Sequence, residues 1–311
     1  MSKRTLVLGN TGFLGKHVER LAKEAGWQTK GLSLSGGFDL RSPGDWAGIV
    51  DDFSPSVIIN CAAHVGGLSY SRSRQATILT DNLRMVLSLF DFMRAHNDVR
   101  LVNPIANCAY PGSLGVFHEA DFWEGSIHPS VLGYGGARRL SVLASQAYRE
   151  EFAVDVVDVA LPNLYGPGDH LDPVRAHALG GLVSRILSAD AKGLDEVSIW
   201  GSGRPIREWL YVEDAARALI LAAETQNPPE FVNVGTGEGV SIADLAKMIA
   251  DAVGYNGRLI FDPSMPDGAA EKRMVADRAE AGLGWIPQYS LEQGLGLTVA
   301  DARERLTMGL G

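Results

Sequence analysis

The chain has 311 residues, of which 46% are hydrophobic and 21% charged, and its formal net charge is −9. This length is enough for one large core or two linked cores, and the acidic balance argues against a nucleic-acid partner. Two cysteines cannot build a disulfide framework, which favours a reducing compartment such as the cytoplasm. The apolar run at the N-terminus stops at Gly9, too early for a membrane span, so no membrane partner is expected.

The first half of the chain alternates short aliphatic runs with helical patterns. Helical spacing of apolar residues predicts helices over 13–25, 75–96 and 134–152. The aliphatic runs predict strands over 4–9, 28–34, 56–62, 99–103 and 154–161. Alternation of this kind indicates right-handed βαβ units and a parallel sheet.

Shorter elements with more proline and glycine follow residue 170. The pattern predicts helices near 174–188, 213–225 and 242–253, with strands at 197–200 and 231–234. The expected fold is therefore α/β: a Rossmann-type doubly wound parallel sheet with a smaller C-terminal α/β lobe. We assign residues 1–165 to a dinucleotide-binding domain to which 212–235 returns, and 166–311 mainly to a substrate lobe. A ligand cleft is expected outside the carboxyl ends of the strands.

A glycine-rich turn separates the first strand from the first helix. Gly9, Gly12 and Gly15 are spaced so that a pyrophosphate can approach backbone amides at the start of a helix. The predicted cofactor contacts here include Phe13 and Leu14, whose amides open the helix.

The choice between NAD and NADP stays open, with NADP slightly favoured. An acid at the end of the second strand would bind the ribose hydroxyls of NAD. Ser33 and Ser35 stand there instead, and Arg41 lies a little beyond. Asp39 and Leu40 are predicted to lie over the adenine.

Five segments carry a resemblance to a known family: "AAHVGG", "ANCAYP", "YGGAR", "NLYGPGD" and "WGSGRPIRE". In this order and spacing they resemble the extended short-chain dehydrogenases/reductases and, within them, the GDP-L-fucose synthases. Those enzymes epimerise C3 and C5 of GDP-4-keto-6-deoxymannose and then reduce C4 with NADPH. The match covers most of residues 1–225 and weakens after 240, although "PDGAAEK" (266–272) resembles a further family loop.

The resemblance implies that the epimerisation chemistry is retained. One group removes a proton next to a ketone and another returns it from the other face. Cys108 matches the family cysteine and His177 the family histidine. Taken alone, each residue would more often be structural than catalytic.

The reductive residues depart from the family pattern. Tyr134 matches the tyrosine that protonates the carbonyl oxygen, but Arg138 stands at the lysine position and Ala106 at the serine position. Arginine is larger and stays protonated, so the exchange is not conservative. Two interpretations remain open: Arg138 and Asn107 perform the usual tasks, or hydride transfer is slow, altered or absent.

The resemblance also assigns residues to cofactor and substrate. Ala62 and Ala63 match cofactor-binding alanines, and His64 replaces a family lysine. The expected ligand is a nucleotide diphosphate sugar, with a GDP-sugar favoured. Its predicted binding residues, besides Ala106 and Asn107, are Asn163, Arg185, Trp200, Arg207 and Lys272.

Two other functions stay open. One is an oxidoreductase or epimerase that oxidises a nucleotide sugar transiently with bound NAD, and the other is a non-catalytic nucleotide sensor. The seven histidines show no metal-ligand spacing with the cysteines, so no metal is expected. Because the superfamily dimerises through two long helices, the resemblance implies a homodimer.

Overall fold

A central parallel sheet with helices on both faces organises the chain. The computed structural model describes residues 3–42, 46–172, 178–265 and 267–309. The strands are β1 (Arg4–Leu8), β2 (Gln28–Leu32), β3 (Val57–Asn60), β4 (Arg100–Ala106), β5 (Val116–Phe117), β6 (Asp155–Leu161), β7 (Asn163–Tyr165), β8 (Glu196–Trp200), β9 (Ile206–Arg207), β10 (Trp209–Tyr211), β11 (Phe231–Asn233), β12 (Val240–Ser241), β13 (Arg258–Asp262) and β14 (Glu271–Met274). The helices are α1 (Phe13–Glu24), α2 (Trp46–Phe53), α3 (Leu68–Ser73), α4 (Gln75–Ala95), α5 (Leu132–Phe152), α6 (Ala178–Ala191), α7 (Val212–Glu224), α8 (Ile242–Val253), α9 (Asp277–Leu283) and α10 (Leu291–Thr307).

The central sheet has the strand order β11-β6-β4-β3-β1-β2, and every pairing in it is parallel. Successive residues of a strand face opposite sides, so Leu6 and Val7 enter different cores. The first core includes α1 and α7, and the second includes α4. This arrangement confirms the predicted Rossmann-type α/β fold.

Several predicted boundaries shift. The helix predicted over 134–152 begins at Leu132, and the second strand ends at Leu32 because Leu34–Gly36 forms a 3₁₀ turn. The strand predicted over 99–103 starts one residue later and runs on to Ala106. This extension places Ala106 at the carboxyl edge of the sheet, where ligands bind in such folds.

The remaining elements form small sheets around a core of α6, α8 and α10. One of these sheets has the order β12-β9-β14-β5, and another joins β13 to β8. Strand β11 pairs with β6 in the central sheet, although the domain boundaries themselves stay a prediction. Within the described ranges, no helix has both the length and the apolar character needed to cross a membrane.

A buried polar chain crosses the central sheet beneath α5. The amide nitrogen of Asn103 on β4 donates to Asp158 on β6 (2.7 Å) and to Ser141 on α5 (2.9 Å). Asn60 on β3 donates to the other end of the Asn103 amide (3.4 Å). Burial raises the pKa of Asp158 to about 7, against the opposing effect of the Asn103 hydrogen bond. These hydrogen-bonded side chains fix α5 over β4, but they include a carboxylate, that of Asp158, which resists ionisation.

We expect Asp158 to make the folding stability fall as pH rises. Its pKa is higher in the folded than in the unfolded chain, so stability is lost between about pH 4 and pH 7. Asp158→Asn should remove that loss and gain about 1–3 kcal/mol relative to the parent between pH 5 and pH 8. Urea unfolding at several pH values measures this difference. Asp155→Asn, at the half-exposed start of the same strand, is the control; an Asp158→Asn difference that does not grow with pH would contradict the prediction.

Candidate active site

Cys108 lies in a 3₁₀ turn, Asn107–Ala109, at the carboxyl end of β4. The start of α5 passes directly over this turn. A Cβ atom at Gly135 would overlap with the carbonyl oxygen of Cys108, so this close approach requires a glycine. Arg139 donates to the carbonyl of Ala109 (2.7 Å) and holds the turn against the helix. The turn that carries the predicted thiol therefore lies against the first turn of α5, which carries Tyr134.

Arg138 is buried one helical turn beyond Tyr134. Its guanidinium carbon lies 5.2 Å from the centre of the Tyr134 ring, and its Nη2 donates to the carbonyl of Ala62 (3.2 Å). Only 5% of Arg138 is exposed, and its Nε has no hydrogen-bond partner among the described residues. A buried donor of this kind favours a ligand that accepts a hydrogen bond.

The positive charge of Arg138 acts on the pKa of two thiols, those of Cys108 and Cys61. Burial raises the pKa of Cys108 to about 11, while the positive charges of Arg138 and Lys272 act to lower it. Burial raises the pKa of Cys61 to about 12, again opposed by Arg138. Cys108 is therefore a neutral thiol at rest, able to give a proton. Cys61, at the end of β3, was missed from the sequence; its position at a strand end was the available signal.

Lys272 and Arg207 meet through strand pairing. Residues Lys272 on β14 and Arg207 on β9 are direct partners in the parallel register. Burial lowers the pKa of both side chains, and the charge of Arg207 lowers that of Lys272 further. The Lys272 ammonium lies 4.9 Å from the centre of the Phe117 ring on β5. Strand β5 follows the Cys108 turn in the chain, so this sheet brings two predicted substrate cations toward the thiol.

A second pair lies on α6 and β8. The guanidinium of Arg185 lies 5.5 Å from the ring centre of Trp200, and it donates to the carbonyl of Ser198 (2.8 Å). Trp200 is 63% exposed, which leaves one face of this large ring open to a ligand. His177, the predicted second proton carrier, lies outside the described residues.

Asn163, another predicted substrate residue, is hydrogen-bonded to Glu208, the residue that follows Arg207. The side-chain amide of Asn163 donates to the backbone carbonyl of Glu208 (3.0 Å). Glu208 itself is fully buried, and it was not among the predicted site residues. Its position directly after Arg207 in "WGSGRPIRE" was the signal available in the sequence.

The glycine turn forms a cradle that fits a pyrophosphate. Gly9 has a left-handed φ of +73°, and a Cβ there would lie 2.8 Å from the backbone of Ala62. A Cβ at Gly15 would overlap with the Gly9 carbonyl. No side chain caps the start of α1. The backbone amides of its first turn, including those of Phe13 and Leu14, can therefore donate to a phosphate.

Hydroxyl groups stand where the second strand approaches this turn. The Thr11 hydroxyl lies 2.9 Å from that of Ser35, which in turn lies 3.3 Å from the Ser33 hydroxyl. Asp39 forms an ion pair with Arg41 (2.7 Å), and the side chain of Leu40 is packed in the core. At Leu40, only the backbone could face an adenine.

His64 joins a chain of polar side chains next to the cofactor loop. Its Nδ1 lies 2.8 Å from a carboxylate oxygen of Asp81, and its Nε2 lies 2.8 Å from the Tyr70 hydroxyl. Arg41 also reaches Asp81 (3.3 Å). Both ring nitrogens of His64 are therefore engaged, and the residue orders the loop that follows Ala62 and Ala63.

Comparison with known proteins places the chain in a family. A model of the NAD dependent epimerase/dehydratase family matches residues 5–235. The chain belongs to this family. The putative GDP-L-fucose synthase 2 of Arabidopsis thaliana is 32% identical to it over 298 residues, covering 96% of this chain and 90% of that protein. The GDP-L-fucose synthase of Escherichia coli K12 is also 32% identical, with 96% of each chain covered.

A solved structure is also similar to this chain over nearly its full length. The GDP-L-fucose synthetase of Naegleria fowleri bound to NADP has a TM-score of 0.85 and 25% identity, over 99% of this chain and 95% of that one. This member of the NAD dependent epimerase/dehydratase family is thus an epimerase/oxidoreductase of the extended short-chain type that uses NAD or NADP, as predicted. The resemblance to GDP-L-fucose synthases is confirmed. The individual roles of the site residues stay predictions.

We expect Arg138 to control the reactivity of both thiols. Arg138→Gln removes a positive charge, so each thiol should ionise less and react more slowly with iodoacetamide, by about tenfold for one pKa unit. Mass spectrometry of peptides, sampled between pH 8 and 10, separates Cys108 from Cys61. Lys272→Gln is the matched control, because it should slow Cys108 and leave Cys61 unchanged. Equal rates in Arg138→Gln and the parent would contradict the prediction.

Proposed function

We propose that this enzyme acts on a 4-keto-6-deoxy nucleotide sugar, with a GDP-sugar favoured, and epimerises it at C3 and C5. The observation that carries the proposal is the grouping of Cys108 and Tyr134 with Arg138, close to the cationic pair of Arg207 and Lys272. A diphosphate suits paired cations, and a ketone next to an exchangeable C–H needs a proton carrier. The GDP-L-fucose synthases named above support the same substrate class.

Cys108 is the proposed proton donor. Cys108 is half-buried and its pKa is raised, so its thiol is neutral at rest and can return a proton to a carbon next to the ketone. The charges of Arg138 and Lys272 then stabilise the thiolate that forms. Tyr134 donates a hydrogen bond to the ketone oxygen, where negative charge develops in the enolate. His177 is the proposed second carrier, through the resemblance.

Reduction at C4 is proposed to be slow or absent. When bound, NADPH supplies a hydride; the chain must orient the ketone and protonate its oxygen. Ala106 has no hydroxyl to hold the ketone, and losing one such donor costs about 100- to 1000-fold in turnover. Arg138 is held by the Ala62 carbonyl and the Tyr134 ring, which restricts its reach to a ribose. The Asn107 amide is the nearest substitute for the missing hydroxyl.

The proposal extends to assembly and location. Exposed leucines lie along α4 and α5: Leu87, Leu132, Leu140 and Leu143. An apolar surface of this kind favours a homodimer, and sedimentation velocity would test this by measuring the mass of the particle in solution.

A cytoplasmic location is proposed from the two free cysteines, because a reducing compartment keeps thiols reduced. Fractionation of the source cells tests it.

The epimerase proposal predicts deuterium exchange at carbon. Incubating the parent with GDP-4-keto-6-deoxymannose in heavy water should place deuterium at C3, C5 or both, as read by NMR. Cys108→Ser should slow this exchange by about 100-fold or more, since an alcohol is a far weaker acid than a thiol. Cys61→Ser is the control and should retain exchange. Absence of deuterium at both carbons in the parent would sink the proposal.

The departures from the reductase pattern predict a gain of function. Ala106→Ser combined with Arg138→Lys restores a ketone donor and a shorter cation, so NADPH oxidation with the same substrate should rise at least about tenfold. Absorbance at 340 nm measures it. Fast NADPH oxidation by the parent would show that Arg138 and Asn107 suffice for the hydride step. Tightly held NAD in the purified protein would favour transient oxidation instead.

A further inference from the structure

Glu208 is a buried carboxylate at the junction of four chain segments. It accepts hydrogen bonds from the backbone amides of Met274 (2.6 Å) and Gly237 (3.0 Å), and the Thr236 hydroxyl lies 3.4 Å away. Its own backbone amide donates to the carbonyl of Lys272 (3.1 Å). Together with the bond from Asn163, these contacts tie β7, β9, β14 and the loop after β11 to one residue.

The environment of this carboxylate is costly. Burial raises the pKa of Glu208, and the backbone amides of Met274 and Gly237 act in the opposite direction. The described ion pairs include none to Glu208, so its charge is compensated by the backbone amides and by the hydroxyl of Thr236. A Cβ at Gly235 would overlap with the carboxylate, so a glycine is needed for it to fit. A buried charge of this kind destabilises the fold, and a role in positioning other residues would account for its presence.

Glu208 does not neutralise its sequence neighbour Arg207, which is attracted instead by the Asp267 carboxylate. Adjacent residues of an extended strand point to opposite sides, so Glu208 faces the backbone of β14 while Arg207 faces away. Arg207 instead donates to the carbonyl of Ile206 (2.7 Å), and it lies in register with Lys272. Two partly buried cations repel each other, so something must hold their strands together.

We propose that Glu208 is a positioning residue: it clamps β9 to β14 and so keeps Arg207 and Lys272 at a fixed spacing for the diphosphate of the substrate. The inference rests on the proposed function, since it assumes that these two cations bind a diphosphate. Because the clamp uses backbone amides, it fixes both strands without consuming either cation. The anionic ligand then finds two preformed cations, neither of which forms an ion pair with Glu208.

The test compares diphosphate recognition in matched variants. Glu208→Gln retains size, but its amide NH2 group would face one of the backbone N–H donors whose hydrogen bonds the carboxylate now accepts. Binding of GDP and of guanosine is measured by calorimetry. We expect the GDP-to-guanosine affinity ratio to fall about tenfold or more, while NADPH affinity stays within about twofold. KM for the sugar nucleotide should rise more than kcat falls.

Asp214→Asn is the control for loss of a buried carboxylate. Asp214 is equally buried and accepts from the backbone amides of Gln288 and Tyr289, away from the cationic pair. It should lower thermal stability and leave the GDP-to-guanosine ratio unchanged. An unchanged ratio in Glu208→Gln would overturn the proposal. If Glu208→Gln does not fold, Gly235→Ala, which pushes on the same carboxylate, must show the same fall in the ratio.

Two further variants separate this inference from the proposed function. Arg207→Ala and Lys272→Ala should each weaken GDP binding, because each removes one of the two cations. If neither does, the diphosphate site itself is wrong and the clamp has nothing to position. If both weaken GDP binding while Glu208→Gln and Gly235→Ala do not, the positioning role alone is wrong.

Discussion

This site depends on the buried guanidinium of Arg138, which contacts no carboxylate in the part of the chain that the structure describes. Arg138 contacts the Ala62 carbonyl and the Tyr134 ring, and its charge reaches Cys61 and Cys108. A buried cation needs negative partners, and here these are dipoles, a ring face and two polarizable thiols. The glycine turn, the end of β4 and the start of α5 all converge on this charge. A lysine there would carry its charge on one nitrogen, whereas the guanidinium group delocalises it over three nitrogens.

Two buried carboxylates support the site in different ways. Asp158 lies in a chain of amides and hydroxyls that fixes α5 over β4, and its environment favours the neutral acid. Glu208 accepts backbone amides from two segments and fixes the strands that carry Arg207 and Lys272. The first residue thus sets the position of a helix at the cost of a pH-dependent loss of stability. The second is proposed to set the spacing of two charges.

The sequence was sufficient where hydrophobic burial decides the structure. Strands of the central sheet are buried on both faces, so their aliphatic runs stand out, and the alternation with helices fixed the parallel order. The elements that were not predicted are the strands β5, β7, β9, β10, β12, β13 and β14 and the helices α2, α3, α9 and α10. Several are only two to five residues long, and the others lie half-exposed, so their side chains carry little periodic signal.

The site divides in the same way. Cys108, Tyr134 and Arg138 could be predicted because each stands in a motif with fixed spacing. Glu208 and Cys61 were missed: a motif neighbour and a strand end marked their positions, but their contacts join segments far apart in the chain. The pairing of Lys272 with Arg207 also arises only from strand register. Spacing along one segment is readable from sequence, whereas spacing between segments needs the fold.

The sheet of β12, β9, β14 and β5 has a mechanical consequence. Main-chain hydrogen bonds run from the segment that follows Cys108, through the strand of Lys272, to the strand of Arg207. The strands of Lys272 and Arg207 and the short strand β5 therefore belong to one continuous hydrogen-bonded sheet. The separation of Lys272 and Arg207 is set by the spacing of paired strands and resists deformation. If these two cations bind the anionic group of the substrate as proposed, that group must fit a spacing that the sheet has already fixed.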